Sequence, residues 1–264
     1  MPRFISNDDK MENYIVPGAG SIQFSGRRPD NTLGASEFTL VTIVLDTTGS
    51  VFKFAPQLLD TVKKIIEACK KSDRSRNLLV RYLTFSDTVQ EVHGFKLLSE
   101  IDPNNYEALQ PDGMTAVYDA TYAGIGATLT YAKNLMDNEF NTNGAVYIIT
   151  DGSDNVSKMQ PSHIKAQMEE ARMQEDTIES LITVLVALKD PKDKTSNWAQ
   201  HVAKKLKMFK EEAELTQFVD VGEATPQKLA KLAEFVSESI SSQSASLGKN
   251  GSTKTSKVSQ NLTF

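Results

Sequence analysis

Of 264 residues only one is a cysteine, Cys69. An internal disulfide is therefore excluded, and the place of Cys69 on the apolar stripe of an expected helix reads as a buried structural thiol. No apolar run approaches the ~20 residues of a membrane span, and the opening MPRFISNDDKMENY lacks the apolar centre of a signal peptide. The expectation is a soluble cytoplasmic protein with no membrane partner. Positive charge is also scarce, since 29 Lys and Arg stand against 34 Asp and Glu for a net charge of −5. That balance offers no electrostatic footprint for a phosphate backbone, so nucleic acid is not expected as a partner. The three histidines, His93, His163 and His201, fall on different expected elements and show no ligand spacing. No G-x-x-x-x-G-K-[ST] stretch exists to wrap phosphates.

What is present from Phe38 to Ile240 is an alternation of short apolar runs with amphipathic segments, the pattern of an α/β sheet. FTLVTIVLD (Phe38 to Asp46) is nearly continuous in β-branched and aliphatic residues, as a central strand covered on both faces should be. Ala55, Leu58, Leu59, Val62, Ile65, Ile66 and Cys69 then keep the spacing of one helix face. LLVRYLTF (Leu78 to Phe85) and TVQEVHGF (Thr88 to Phe95), joined at Ser86-Asp87, read as an antiparallel hairpin with the second strand at the sheet edge. Further strands are expected at Ala145 to Thr150, Leu181 to Leu188 and Thr216 to Val221, and helices at Ala116 to Asp137, Ser162 to Gln174 and Asn197 to Ala213. In that last helix Trp198 and Phe209 fit the inner face. A final helix has Thr225 as N-cap, Pro226 at its first position and Leu229, Leu232, Ala233, Val236 and Ile240 along its inward stripe. The fold expected is a doubly wound, mostly parallel α/β sheet with one antiparallel edge strand and helices on both faces.

Two flanks lie outside this pattern. Residues 1–36 are polar and punctuated by Pro17, Gly18, Gly20, Gly26, Pro29 and Gly34, and read as an extended arm, in which Ser21 to Phe24 offers one further strand. The domain proper is placed at 37–243, followed by a flexible Ser-, Thr- and Lys-rich tail, 244–264, that ends in Leu262, Thr263 and Phe264.

Three polar clusters, DTTGS, DGMTAVYDA and TDGSDN, fall where loops cross the carboxyl edge of the expected sheet, the place where open α/β folds put ligands. Asp46, Thr48 and Ser50 alternate after the first core strand, so a turning loop can aim three oxygens at one point. Thr115 opens a helix and Asp151 closes a strand. All five are hard oxygen donors, the chemistry of Mg²⁺ or Mn²⁺ rather than Zn²⁺. Taken alone, DTTGS is what any strand-to-helix loop contains for turn and capping reasons. The three clusters in order, each at the right end of an element, point to a metal site. Asp112, Asp119, Asp154 and Asn155 read as loop caps and a first-turn helix acid.

D-x-T-x-S after the first core strand, a Thr in a G-x-T segment before a helix and a T-D-G after a later strand resemble the metal-ion-dependent adhesion site (MIDAS) of von Willebrand factor A (VWA) domains. The likeness covers Phe38 to Ile240, with Thr48 where the family usually has Ser. Within that family the chain looks closest to intracellular bacterial or phage proteins, including those associated with tellurium resistance. The resemblance implies a non-enzymatic module in which Thr48 and Ser50 bind the ion directly and Thr115 does so in the ligand-competent state. Asp46 and Asp151 would act largely through water, and an exposed Asp or Glu of a partner protein would complete the coordination. One competing function is a self-assembling protein with a purely structural ion, joined to its copies through the arm or the tail. Another is a phosphatase-like hydrolase with Asp46 as nucleophile, which would want a second Asp where Thr48 stands.

Overall fold

The computed structural model describes residues 10–18, 22–173, 177–191 and 196–246. Its strands are β1 (Met11–Ile15), β2 (Gln23–Arg27), β3 (Glu37–Asp46), β4 (Leu78–Phe85), β5 (Val89–Leu97), β6 (Asn141–Thr150), β7 (Leu181–Lys189) and β8 (Gln217–Glu223). Its helices are α1 (Ala55–Lys70), α2 (Val117–Asp137), α3 (Pro161–Met173), α4 (Ser196–Glu212) and α5 (Pro226–Ser246). The strands make one sheet in the order β1-β2-β5-β4-β3-β6-β7-β8, and β4, β3, β6, β7 and β8 all run parallel. This is the expected doubly wound α/β architecture.

Alternation along each central strand splits its side chains between two cores. Val41, Ile43 and Leu45 of β3 face α1 and α5 together with Ala145, Tyr147 and Ile149 of β6. Phe38, Leu40 and Val44 face α2, α3 and α4 with Val146 and Ile148. Because both faces are covered, β3 and β6 are buried almost throughout, which is why they read as unbroken apolar runs rather than alternating ones. Gly124 lets α2 lie close on this sheet, since a methyl there would come within 2.9 Å of the Val44 side chain. Cys69 is buried on α1, and burial pushes its thiol up to about 12.

The N-terminal flank departs from the expectation of an extended arm. β1 pairs antiparallel with β2, and β2 joins β5 with Gly26 opposite Phe95, so β5 does not end the sheet. The physical reason lies in what this pair buries. Phe24 stacks on Tyr14 and meets Phe95 edge-on, and the Tyr131 hydroxyl donates to the Arg27 carbonyl at 2.6 Å. Beneath it Arg81 and Glu91 form an ion pair at 2.7 Å, their side chains only 1% and 4% exposed. Glu91 also accepts from the backbone N–H of Ser25 and from its hydroxyl, which satisfies the carboxylate that burial would otherwise penalise. Gly94 makes the approach possible, because a methyl at that position would overlap the Ser25 carbonyl.

The last helix starts as expected, with the Thr225 hydroxyl accepting from the Lys228 N–H at 3.4 Å, but it continues past Ser241 to Ser246. Its final turn buries polar side chains. Gln243 donates to the Ser180 hydroxyl at 2.8 Å, and its own carbonyl accepts from Asn143 at 2.6 Å. Leu262, Thr263, Phe264 and the rest of 247–264 lie outside the described residues, as does the side chain of Trp198. Phe209 is buried against Tyr118, their ring centroids 4.5 Å apart.

Candidate metal centre

β3 and β6 are parallel neighbours whose register runs to Leu45 opposite Ile149. The loops leaving their carboxyl ends therefore meet, and this brings Asp46, Thr48, Ser50 and Asp151 into one corner. Asp46 is 0% exposed. One of its carboxyl oxygens accepts from the Thr48 N–H at 2.8 Å and the other from the Thr150 hydroxyl. Burial raises its carboxyl above the ordinary range, and the hydrogen bonds from Thr150 and Thr48 oppose that rise.

From there a chain of hydroxyls crosses the corner. Thr48 Oγ1 lies 2.9 Å from Ser50 Oγ, and Ser50 donates to Asp151 Oδ1 at 2.6 Å. Since the one Ser50 proton goes to Asp151, Thr48 is the donor in the first of these bonds. Asp151 is pushed up to about 7, first by burial and then by the negative charge of Asp46. Thr115 is carried in from the loop before α2. Its N–H donates to Asn155 Oδ1 at 2.8 Å, and its carbonyl accepts from the Asn155 N–H at 3.0 Å. Gly152 leaves room for the Thr115 hydroxyl, which would lie 2.9 Å from a methyl placed there. All five residues singled out in the sequence thus converge.

The loops that carry them are tied to one another. Gly49 N–H donates to the Gly113 carbonyl at 3.3 Å and Asp112 N–H to the Thr47 carbonyl at 3.0 Å. Asp87, at the β4–β5 turn, accepts from the Met114 N–H. Asp154 accepts from the Ser157 hydroxyl and the Tyr118 N–H, while Asp119 accepts from the Lys158 and Met159 N–H groups. The capping roles read for Asp112, Asp119, Asp154 and Asn155 match these bonds, with Asp112 accepting from the Gly113 N–H. Thr150 and Asp87 are supporting residues that sequence reasoning missed. Thr150 carried a signal, being the first letter of the T-D-G cluster, whereas nothing in the sequence joins Asp87 to Met114. His93 is bound up elsewhere, between the Gly94 carbonyl and the Tyr106 hydroxyl, each at 2.9 Å.

The donor set fits a hard divalent cation. Two carboxyls are held in positions that burial and mutual repulsion make costly to ionise, and a nearby +2 charge removes that cost. Among the described residues no three His, Cys, Asp or Glu side chains converge, so the further donors here are the hydroxyls of Thr48, Ser50 and Thr115. The corner opens into a cleft of about 1010 Å³ that runs past the ends of β7 and β8 to α4. Across its mouth Lys53 pairs with Asp190 at 2.8 Å. Among the described residues no helix is long and apolar enough to cross a membrane.

No protein-family model matches the chain, and no curated protein matches it. Solved structures do share its fold. The PilB minor pilin of Streptococcus sanguinis aligns with a TM-score of 0.51 at 13% identity over 78% of this chain and 62% of the pilin. A point mutant of the same pilin aligns with a TM-score of 0.52 at 14% identity over 82% of this chain and 64% of the other. Proximal thread matrix protein 1 of the mussel byssus, in a structure with a zinc-occupied MIDAS motif, aligns with a TM-score of 0.48 at 15% identity over 78% of this chain and 46% of that one. The chain spans less than two thirds of the length of these pilins, and at such identities the likeness is one of fold.

Proposed function

We propose that this chain is a VWA-type interaction module that holds Mg²⁺ or Mn²⁺ and, through it, grips an acidic side chain of a partner protein. The observation that carries the reading is the corner itself: buried Asp46 and half-buried Asp151 joined by the Thr48 and Ser50 hydroxyls, with Thr115 beside them. Thr48, Ser50 and Thr115 would hold the ion, and Asp46 and Asp151 would orient those hydroxyls and the ion's water. When bound, the ion supplies an electrophilic point whose open positions accept a carboxylate oxygen. With neutral hydroxyls holding the ion and the two carboxylates set behind them, an incoming Asp or Glu would lie nearer to the +2 charge than to its counter-charges and so be attracted.

The same geometry weighs against Asp46 as a phosphatase nucleophile. Both carboxyl oxygens of Asp46 accept hydrogen bonds from the protein and the residue is 0% exposed, unlike a nucleophile open to an incoming phosphoryl group. The test is calorimetric titration of the protein with Mg²⁺ and Mn²⁺ beside Asp46→Ala and Asp151→Ala variants shown to be folded. Ion binding lost in both variants, and a partner retained on the immobilised protein in Mg²⁺ but released by EDTA, is the expected result. Absence of ion binding at millimolar concentration together with EDTA-resistant partner capture would overturn the proposal.

A further inference from the structure

Two large apolar side chains stand in the open beside the candidate metal centre. Phe52 is 70% exposed and Met114 is 50% exposed. Phe52 sits on the turn Gly49–Lys53 that immediately follows Thr48, and Met114 directly precedes Thr115. Both line the same cleft as Ser50, Thr115 and Asp151. Neither contributes to a core, whereas Val51, the neighbour of Phe52, is fully buried in one. Two exposed apolar side chains on the lining of one polar cleft offer a contact surface.

Resting on the proposed function, we infer that Phe52 and Met114 select the partner, and that the occupant is an acidic peptide segment in which the coordinating Asp or Glu is flanked by a large apolar side chain. The arrangement is complementary in two respects at once. A carboxylate matches the cation-holding corner, and its apolar neighbour covers the aromatic ring and the thioether, which lie on the two loops that bound that corner. A partner offering a carboxylate within a purely polar surface would leave both side chains wet and bind less tightly.

The test uses the whole protein, immobilised in Mg²⁺, and a positional library of capped pentapeptides with a fixed central Glu, beside a Gln-centred control library. Phe, Leu or Met beside the Glu should be retained roughly fivefold more than Ser or Gly, the ratio expected when such a side chain loses about half its exposure to water. The double variant Phe52→Ser/Met114→Ser should lose this preference while its Mg²⁺ affinity and its preference for Glu over Gln persist. Equal retention of polar- and apolar-flanked Glu peptides by the wild-type protein would overturn the inference and leave the metal-dependent reading standing, and so would a preference that survives in the double variant. Retention indifferent to EDTA and to the Glu-to-Gln change would instead remove that reading, and this inference with it. If the double variant does not fold, the single variants Phe52→Ser and Met114→Ser carry the same comparison, and an undiminished preference in both overturns the inference.

Discussion

Replacing Asp151 with Asn should change the protein's stability in opposite directions depending on whether a divalent ion is supplied. In EDTA the folded protein holds this carboxyl at about 7 instead of its ordinary 3.8, because of burial and the charge of Asp46. A folded-state value above the unfolded one means that the stabilising contribution is complete below 3.8 and disappears as pH rises to about 7. At pH 8 the full penalty is present, a shift of about three units or about 4 kcal/mol as a ceiling. Water reaching the half-buried group brings it to about 2 kcal/mol. Asn removes the charge and keeps an oxygen to accept the Ser50 hydroxyl, so Asp151→Asn in EDTA should unfold about 4–8 °C higher than wild type at pH 8. In Mg²⁺ at a hundred times its dissociation constant the wild type gains about 2.7 kcal/mol, and the variant gains little. Thermal unfolding at pH 8 and pH 5, with and without Mg²⁺, measures all of this. A variant less stable than wild type in EDTA at pH 8 would refute the claim that burial and the Asp46 charge make Asp151 costly to ionise, and so would equal stabilisation of both proteins by Mg²⁺.

Other features make separate predictions. His93 is held neutral with its pKa lowered to about 4, mainly by burial. A depressed folded-state value means that its contribution is intact above about 6.5 and is lost as pH falls to about 4, a change of up to about 3 kcal/mol. Urea unfolding of wild type against His93→Gln over that range should show a flatter pH profile for the variant. Glu91→Gln leaves the buried Arg81 charge without its partner and should cost about 3–5 kcal/mol in denaturant unfolding. Gly94→Ala should push β2 away from β5, so that amide exchange quickens at Gln23–Arg27 while β3 and β6 remain protected. Gln243→Leu strands the Ser180 hydroxyl and should cost about 1–3 kcal/mol, read from the shift in urea midpoint.

The central strands were legible because their burial is two-sided. Phe38 to Asp46 and Ala145 to Thr150 announce themselves by apolar continuity, and both end on the residues that meet in the corner. What escaped was structure built from polar residues. β6 begins at Asn141, four residues before its apolar stretch, because Asn141–Gly144 pair with Glu37–Leu40 of β3 even though their side chains look like those of a loop. The last turn of α5 turns Gln243 and Ser244 inward, and a search for an apolar stripe stops before them. β1 and β2 are hidden by the prolines and glycines around them, and the ion pair that anchors them joins Arg81 to Glu91, a link that no local pattern displays. In the corner the sequence identified the oxygen-bearing side chains, because strand ends and spacing are local properties. The backbone ties of Asp87 and Asn155 depend on how separate loops meet.

The strand order also has a mechanical consequence. Anything held at Thr48, Ser50 and Asp151 and pulled away from the carboxyl edge draws on β3 and β6 along their axes. Their registers with β4, with β7 and with each other are then loaded in shear, so the backbone bonds of the ladders share the tension instead of breaking one at a time. The far wall of the cleft, at Asp220 and Gly222, stands on β8, which among the described residues has a neighbour on one side only and shifts register between Ala187 and Leu188 of β7. One jaw is an anchor in the centre of the sheet, and the other can yield without loosening it.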